Sequence, residues 1–126
     1  MRRSRILLAE DHPAVAADLR GLLEPEFEVL AVVDDGYALV GAAQSLKPDI
    51  IVTDISLPGI DGISAAEQVL KHDPKVRVIF VTVHNDPAVV ERAMAIGASG
   101  YVLKMKAGEE LLPAVRSVVT GERRVT

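Results

Sequence analysis

The sequence predicts an α/β domain built on a parallel β-sheet, because short apolar segments and amphipathic helical patterns alternate five times in 126 residues. The apolar segments are continuous, which is typical of strands that helices cover on both faces. Such strands are predicted at residues 6–9, 29–33, 50–53, 78–81 and 101–103. The length favours one domain, and its core must be aliphatic because aromatic residues make up 3% of the chain.

Each predicted strand is followed by a segment in which apolar residues recur every three or four positions, which predicts five helices. Pro13 lies in the first turn of the first helix. Asp86 and Pro87 predict the N-cap and first position of the fourth helix, and Gly97 predicts its end. Pro113 falls inside the fifth pattern, where it removes a hydrogen-bond donor, so we expect a later helix start or a local kink.

The composition excludes several classes of function. The absence of cysteine excludes disulfides, thiolate metal sites and a cysteine nucleophile. The net charge of −4 argues against a nucleic-acid surface on this domain, since phosphate contacts need clustered basic residues. The apolar run behind the basic N-terminus is too short for a signal peptide, and no run approaches the ~20 residues of a membrane span. We therefore expect a cytoplasmic protein.

Polar residues follow four of the predicted strands directly. Glu10 and Asp11 follow the first strand, Asp54 the third, Thr82 the fourth and Lys104 the fifth. In open parallel sheets, ligands bind outside the carboxyl ends of the strands. These side chains are therefore expected to meet at one edge of the sheet although they are distant in sequence.

The chemistry of this set points to phosphoryl transfer. Carboxylates packed together repel one another and need a cation, and a few carboxylates with room for water suit Mg²⁺. A carboxylate such as Asp54 can act as a nucleophile on phosphorus and form an aspartyl-phosphate. Lys104 can supply a positive charge to the transferred group, and Thr82 can supply a hydroxyl donor.

Each residue also has an ordinary interpretation when it is taken alone. Glu10 and Asp11 are equally compatible with a helix cap and with metal ligation. Taken alone, Asp54 is typical of a turn residue, Thr82 of a β-branched strand residue, and Lys104 of a solvated surface charge. Their joint occurrence at four strand ends favours function.

The segment 54–62 (Asp-Ile-Ser-Leu-Pro-Gly-Ile-Asp-Gly) adds to this pattern. Its Pro-Gly and Asp-Gly pairs predict a double turn before the third helix, so that Asp61 and Gly62 serve the turn and not the chemistry. Ser56 can offer a backbone carbonyl to a metal.

With these motifs the chain resembles the receiver domain of bacterial two-component response regulators over essentially its whole length. The likeness is carried by Glu10-Asp11, by Asp54 in segment 54–62, by Thr82 and by the segment 97–104 (Gly-Ala-Ser-Gly-Tyr-Val-Leu-Lys). The resemblance implies a flavodoxin-like (βα)5 three-layer sandwich with five parallel strands in the order 2-1-3-4-5. Residues 1–121 would form the receiver, and residues 122–126 the start of a linker or a C-terminal tail.

The resemblance also implies roles for the site residues. Asp54 would be the phosphoacceptor, and Mg²⁺ would be held by Asp54, Glu10, Asp11 and the Ser56 carbonyl. Lys104 would pair with the phosphoryl oxygens. The partner would be a sensor histidine kinase or a phosphotransfer protein. The domain would catalyse only its own phosphorylation and dephosphorylation, so we do not expect an enzyme.

Thr82 and Tyr101 would form the switch pair: the hydroxyl moves toward the phosphate and the ring turns inward. The stretch from Gly97 onward is similar to the subgroup whose receivers precede a LuxR-type helix-turn-helix output domain. The resemblance therefore implies regulation of transcription, with DNA contacted only through an output domain outside this chain. A receiver cut from a longer regulator and a stand-alone receiver both remain open.

Three positions depart from the family pattern or border the site. Met105 stands where most receivers have proline, which puts the geometry of that loop in question. Pro113 affects the face of the first and last helices, through which related regulators dimerise, so a homodimer stays a candidate. His84 would border the site as a passive rim residue or tune the lifetime of the acyl phosphate.

Three other functions compete with this interpretation. Haloacid-dehalogenase-type phosphatases use a second Asp two positions after the nucleophile as acid and base, and Ser56 cannot play that part at neutral pH. A nucleotide or flavin module needs a phosphate-binding loop after the first strand, where Glu10 and Asp11 would repel phosphate. A receiver that binds partners without phosphorylation is the third.

Overall fold

All strands lie in one parallel sheet in the computed structural model of the protein, which describes residues 3–121 and 124–125. The strand order is β2-β1-β3-β4-β5-β6, which confirms the predicted order of the first five strands. The strands are β1 Arg5–Ala9, β2 Glu28–Val33, β3 Ile50–Thr53, β4 Arg77–Thr82, β5 Gly100–Leu103 and β6 Arg124–Val125. Strand β6 extends the sheet with two residues that pair with Gly100 and Tyr101. It lies in the predicted linker or tail, of which residues 122, 123 and 126 are outside the described residues.

Five helices alternate with the first five strands, and a 3₁₀ turn at Lys104–Lys106 precedes the last of them. The helices are α1 Pro13–Leu23, α2 Gly36–Leu46, α3 Gly62–His72, α4 Pro87–Ala95 and α5 Ala107–Val119. Asp86 caps α4 by accepting a hydrogen bond from Ala88 N at 2.9 Å, and Gly97 follows the helix with φ +100°, as predicted. Among the helices of the described part of the chain, none is long and apolar enough to cross a membrane.

Pro113 lies within α5, which already begins at Ala107. Of the two predicted alternatives, the later helix start is therefore excluded. A proline inside a helix costs roughly 3 kcal/mol and leaves the Glu109 carbonyl without its usual donor. The helix nevertheless buries five apolar side chains, of which one Leu and two Val are each worth about 1.5–3 kcal/mol if fully buried, so the packing outweighs the loss. These side chains are Ala107, Leu111, Ala114, Val115 and Val118.

Two apolar clusters cover the two faces of the sheet. Successive residues of β1 alternate between them: Leu7 and Ala9 belong to one cluster, and Ile6 and Leu8 to the other. Helices α2, α3 and α4 complete the first cluster, and α1 and α5 complete the second. The arrangement is the predicted three-layer sandwich, and it leaves the strand ends as the places where polar side chains can meet.

Candidate functional site

The carboxyl edge of the sheet brings together the side chains that the sequence singled out. Glu10 directly follows β1, Asp54 follows β3, Thr82 ends β4, and Lys104 follows β5. Backbone hydrogen bonds continue the strand ladder past the strand ends, from Asp54 N to Ala9 O and from Glu10 N to Val33 O, both at 3.0 Å. Glu10, Asp54 and Thr82 are buried as a result.

Lys104 lies between two of these carboxylates. Its Nζ donates a hydrogen bond to Asp54 Oδ2 at 2.8 Å and forms an ion pair with Glu10 Oε1 at 2.7 Å, the latter without the alignment of a hydrogen bond. Burial alone would lower the pKa of the Lys104 ammonium, but the contacts with Asp54 and Glu10 outweigh it and raise that pKa above its ordinary value. Lys104 is therefore a fixed positive charge at neutral pH.

The Asp54 carboxylate is held from both ends. Oδ1 accepts a hydrogen bond from Ile55 N at 2.7 Å and faces Ser56 N at 3.4 Å, while Oδ2 accepts from Lys104. The following loop folds back closely, because Gly62 N donates to Ile55 O at 2.7 Å. A Cβ atom on Gly62 would lie 1.9 Å from the Asp54 carbonyl oxygen, so only glycine allows this approach. As the sequence suggested, Asp61 serves the turn by capping α3 through Ser64 N.

A second group of ligand atoms stands beside Asp54. Oxygen or nitrogen atoms of Glu10, Asp11 and His12 all lie within 4.8 Å of one another. Asp11 Oδ1 is enclosed and accepts no hydrogen bond, although His12 Nδ1 lies 3.3 Å away. The N-cap of α1 is His12, which makes no side-chain cap bond, so neither acid caps that helix in the usual way. An enclosed, unsatisfied carboxylate oxygen among oxygen donors fits a hard divalent cation such as Mg²⁺.

This group differs from the predicted metal set. Within the described part of the chain it contains His12, which sequence reasoning missed, and not Asp54. The Lys104 ammonium lies between Glu10 and Asp54 and accounts for the separation. The sequence did contain a signal for His12, because it is the third ionisable residue in a row and directly precedes Pro13.

His84 connects the switch residues to the loop after Asp54. Its backbone N–H donates to Thr82 Oγ1 at 3.3 Å, and its carbonyl accepts from the Tyr101 hydroxyl at 2.7 Å. Its ring Nε2 lies 2.7 Å from Ser56 Oγ. The sequence placed His84 only at the rim, whereas the structure makes it the common neighbour of three site residues.

The Tyr101 ring already lies inside the protein, with 1% of the residue exposed. It packs against Phe80 with ring centroids 6.4 Å apart. Burial and then the negative charges of Asp54 and Asp86 raise the pKa of the Tyr101 phenol, so its hydroxyl is a donor at neutral pH. The Tyr101 ring thus occupies an inward position in this structure.

Comparison with known proteins identifies the family to which the chain belongs. The response regulator receiver domain matches residues 6–116, so this protein belongs to the receiver family of two-component response regulators. It is 34% identical over 119 residues to the transcriptional regulatory protein DegU of Brevibacillus brevis, covering 93% of this chain and 50% of DegU. It is 33% identical over 129 residues to the response regulator GacA of Pseudomonas aeruginosa, covering 97% of this chain and 58% of GacA.

A solved LuxR-family response regulator from Aurantimonas sp. SI85-9A1 superposes with a TM-score of 0.92 at 35% identity, covering 97% of this chain and 89% of that one. The predicted family and subgroup are confirmed. The chain spans about half the length of the curated relatives it matches.

Proposed function

We propose that this domain is a phosphorylation-controlled switch in which Asp54 accepts a phosphoryl group from a sensor histidine kinase. The observation that carries the proposal is the buried Asp54 carboxylate, held by Lys104 beside Glu10 and Asp11 at the carboxyl edge of the sheet. A structural ion pair would not need a further enclosed, unsatisfied carboxylate oxygen next to it.

In the proposed reaction, an Asp54 carboxylate oxygen forms a bond to phosphorus while the bond between phosphorus and the donor's histidine nitrogen breaks. Lys104 then exchanges its contact with Asp54 Oδ2 for the phosphoryl oxygens and keeps its charge throughout. The backbone N–H groups of Ile55 and Ser56 keep the carboxylate oriented. Mg²⁺ bound by Glu10, Asp11, Asp54 and the Ser56 carbonyl would neutralise charge on the transferred group.

The signal is proposed to be a shift between two conformers, of which the phosphoryl group favours one. Thr82 would give up the hydrogen bond from His84 N and turn its hydroxyl toward the phosphate. The hydrogen bond from the inward Tyr101 hydroxyl to the His84 carbonyl would transmit the change to the segment before α4. Thr82→Ala should therefore still be phosphorylated but signal poorly, and normal output from that variant would refute this coupling.

Relatives suggest what the switch controls. DegU is a transcriptional regulatory protein, and the chain covers half of its length. We infer by analogy that this receiver regulates a DNA-binding output domain, and that the face of α1 and α5 pairs two copies. Turnover of an external phosphate ester is not expected, because Ser56 occupies the position where a phosphatase needs an acid.

Intact-mass measurement after incubation with acetyl phosphate tests the proposal. Wild type should gain one phosphoryl group with Mg²⁺ and little without it, while Asp54→Asn should gain none. Asp49→Asn is the matched control, because Asp49 lies at the opposite edge of the sheet and accepts a hydrogen bond from Arg5 N. Unmodified wild type, or equal modification of Asp54→Asn, would reject the proposal and favour a receiver that works without phosphorylation.

A further inference from the structure

We infer that His12 gives the divalent-cation site a nitrogen ligand, so that this receiver binds first-row transition ions more favourably than an all-oxygen site would. The inference rests on the proposed cation site and deepens it by naming the class of ion. It starts from the position of His12 Nδ1, which lies 3.2 Å from Glu10 Oε2 and 3.3 Å from Asp11 Oδ1.

These separations suit a shared ion. Neighbouring ligands of an octahedral ion with bonds of about 2.1 Å are roughly 3 Å apart. The His12 nitrogen therefore already lies at the spacing of an adjacent ligand from each of the two carboxylate oxygens. The same spacing lets the imidazole contact both carboxylates.

The backbone holds the imidazole in this place. His12 is the N-cap residue of α1, its backbone N–H donates to Glu10 Oε2 at 3.0 Å, and Pro13 follows it with restricted backbone freedom. The His12 side chain makes no cap bond, so it is free to face the acids. Its side chain is 69% exposed, so an ion can reach the imidazole from solvent.

The two carboxylates have independent reasons to bind a cation. Glu10 is 2% exposed and cannot turn out to water, and Asp11 Oδ1 is enclosed without a hydrogen bond. Lys104 already serves Glu10 Oε1 and Asp54, so Glu10 Oε2 and Asp11 Oδ1 face His12. An ion at this position would satisfy Asp11 Oδ1, and Glu10 Oε2 would contribute a second oxygen while it still accepts from His12 N.

The added nitrogen ligand determines which ions the site binds more tightly. Mg²⁺ prefers oxygen ligands and keeps its waters, whereas imidazole suits transition ions, with affinity rising from Mn²⁺ to Co²⁺. Removing the imidazole should therefore lower the affinity for Co²⁺ by about tenfold. It should change the affinity for Mg²⁺ by less than about twofold.

Two measurements on the whole chain test this. The chain has three histidines, so pulsed EPR of bound Mn²⁺ can be assigned by single variants. Nitrogen coupling should appear in wild type and in His72→Ala, the matched control with an exposed histidine at the end of α3, and should vanish in His12→Ala. Calorimetric titration with Co²⁺ and Mg²⁺ should show the selective loss in His12→Ala only, and its Mg²⁺ affinity reports that the variant is folded.

Absence of nitrogen coupling in wild type, its persistence in His12→Ala, or an equal loss of Co²⁺ and Mg²⁺ affinity would each overturn the inference. If Mg²⁺ binds and supports phosphorylation while nitrogen coupling is absent, only this inference fails. If neither ion binds wild type and Asp54 takes no phosphoryl group, the proposed function fails with it.

Discussion

The two edges of the sheet differ in which groups compensate their charged side chains. At the amino edge, two arginine side chains find backbone partners. Arg5 donates to the Leu46 and Lys47 carbonyls at the end of α2, both at 2.8 Å, and Arg77 donates to the Val118 carbonyl of α5 at 3.0 Å. These cations complement the negative ends of helices and stabilise the fold directly.

At the carboxyl edge, charged side chains face one another instead. Glu10 and Asp54 are buried and share the Lys104 ammonium, and an Asp11 oxygen has no hydrogen bond. Buried like charges oppose folding unless they are compensated. The contrast teaches that the amino edge is arranged for stability, whereas the carboxyl edge retains unfavourable electrostatics that a bound cation or phosphoryl group would use.

The largest effect is expected where the backbone of the site is tightest. Gly62→Ala places a methyl group 1.9 Å from the Asp54 carbonyl oxygen, so the loop must shift, and we expect a loss of about 3 kcal/mol in the free energy of unfolding. Gly41→Ala on α2 is the control, because nothing lies within 4 Å of its Cβ, and it should gain about 0.5–1 kcal/mol. Urea unfolding of both variants measures the difference, and equal stability of the two would contradict the tight approach.

The second-largest effect is expected from removing the shared counter-charge, which should destabilise the carboxyl edge more than the amino edge. Lys104→Met leaves Glu10 and Asp54 without their cation and should cost about 2–3 kcal/mol, less than a fully buried pair because 16% of the Lys104 side chain is exposed. Added Mg²⁺ should restore part of this loss. Arg5→Met, at the amino edge, should cost about 1 kcal/mol and show no dependence on Mg²⁺. Urea titrations with Mg²⁺ and with EDTA decide between them, and an equal cation response at both edges would break the comparison.

A smaller effect is expected from the hydrogen bond that spans the site. His84 Nε2 lies 2.7 Å from Ser56 Oγ, so His84→Ala should open the site to water and speed dephosphorylation by about threefold, or roughly 0.7 kcal/mol in the barrier. Ser56→Ala should act in the same direction because it removes the other half of the contact. Loss of the phosphorylated mass with time gives the rates, and unchanged rates in both variants would leave His84 a passive rim residue.

The smallest effect concerns Asp61 at the start of α3. Burial would raise the pKa of its carboxyl, but hydrogen bonds from Ser64 and the charge of Arg92 lower it overall. Because the folded pKa lies below the unfolded one of about 3.9, this carboxylate stabilises the fold above pH 4 and loses that contribution as the pH falls through the folded pKa. Asp61→Asn should therefore cost about 0.3–0.5 kcal/mol at pH 7, since the group is partly exposed, and the difference should disappear in acid. Unfolding titrations of both proteins across this pH range test the sign.

Much of the fold followed from the sequence because its strands are buried on both faces. Such strands give continuous apolar runs, and the predicted segments match the observed strands to within one residue at each end. Strand β6 was missed because Arg124 and Val125 form too short a segment to give an apolar pattern. Of the two alternatives predicted for α5, the later start does not occur, because the packing of that helix outweighs the effect of Pro113.

The members of the site were predictable, but their contacts were not. The strand-end rule placed Glu10, Asp54, Thr82 and Lys104 at one edge from the sequence alone. That Lys104 bridges two carboxylates depends on side-chain rotamers that no sequence spacing specifies. The links made by His84 run partly through its backbone, so the identity of the residue gave no signal.

The central claim is that the crowded carboxyl edge serves phosphoryl transfer to Asp54. Borohydride reduction converts an aspartyl-phosphate to homoserine, so treating the protein with acetyl phosphate and Mg²⁺, reducing it and sequencing its peptides by mass spectrometry locates the phosphorylated carboxyl directly. We predict homoserine at position 54 and unchanged aspartate at positions 11 and 49. Homoserine elsewhere, or none at position 54, would contradict the account.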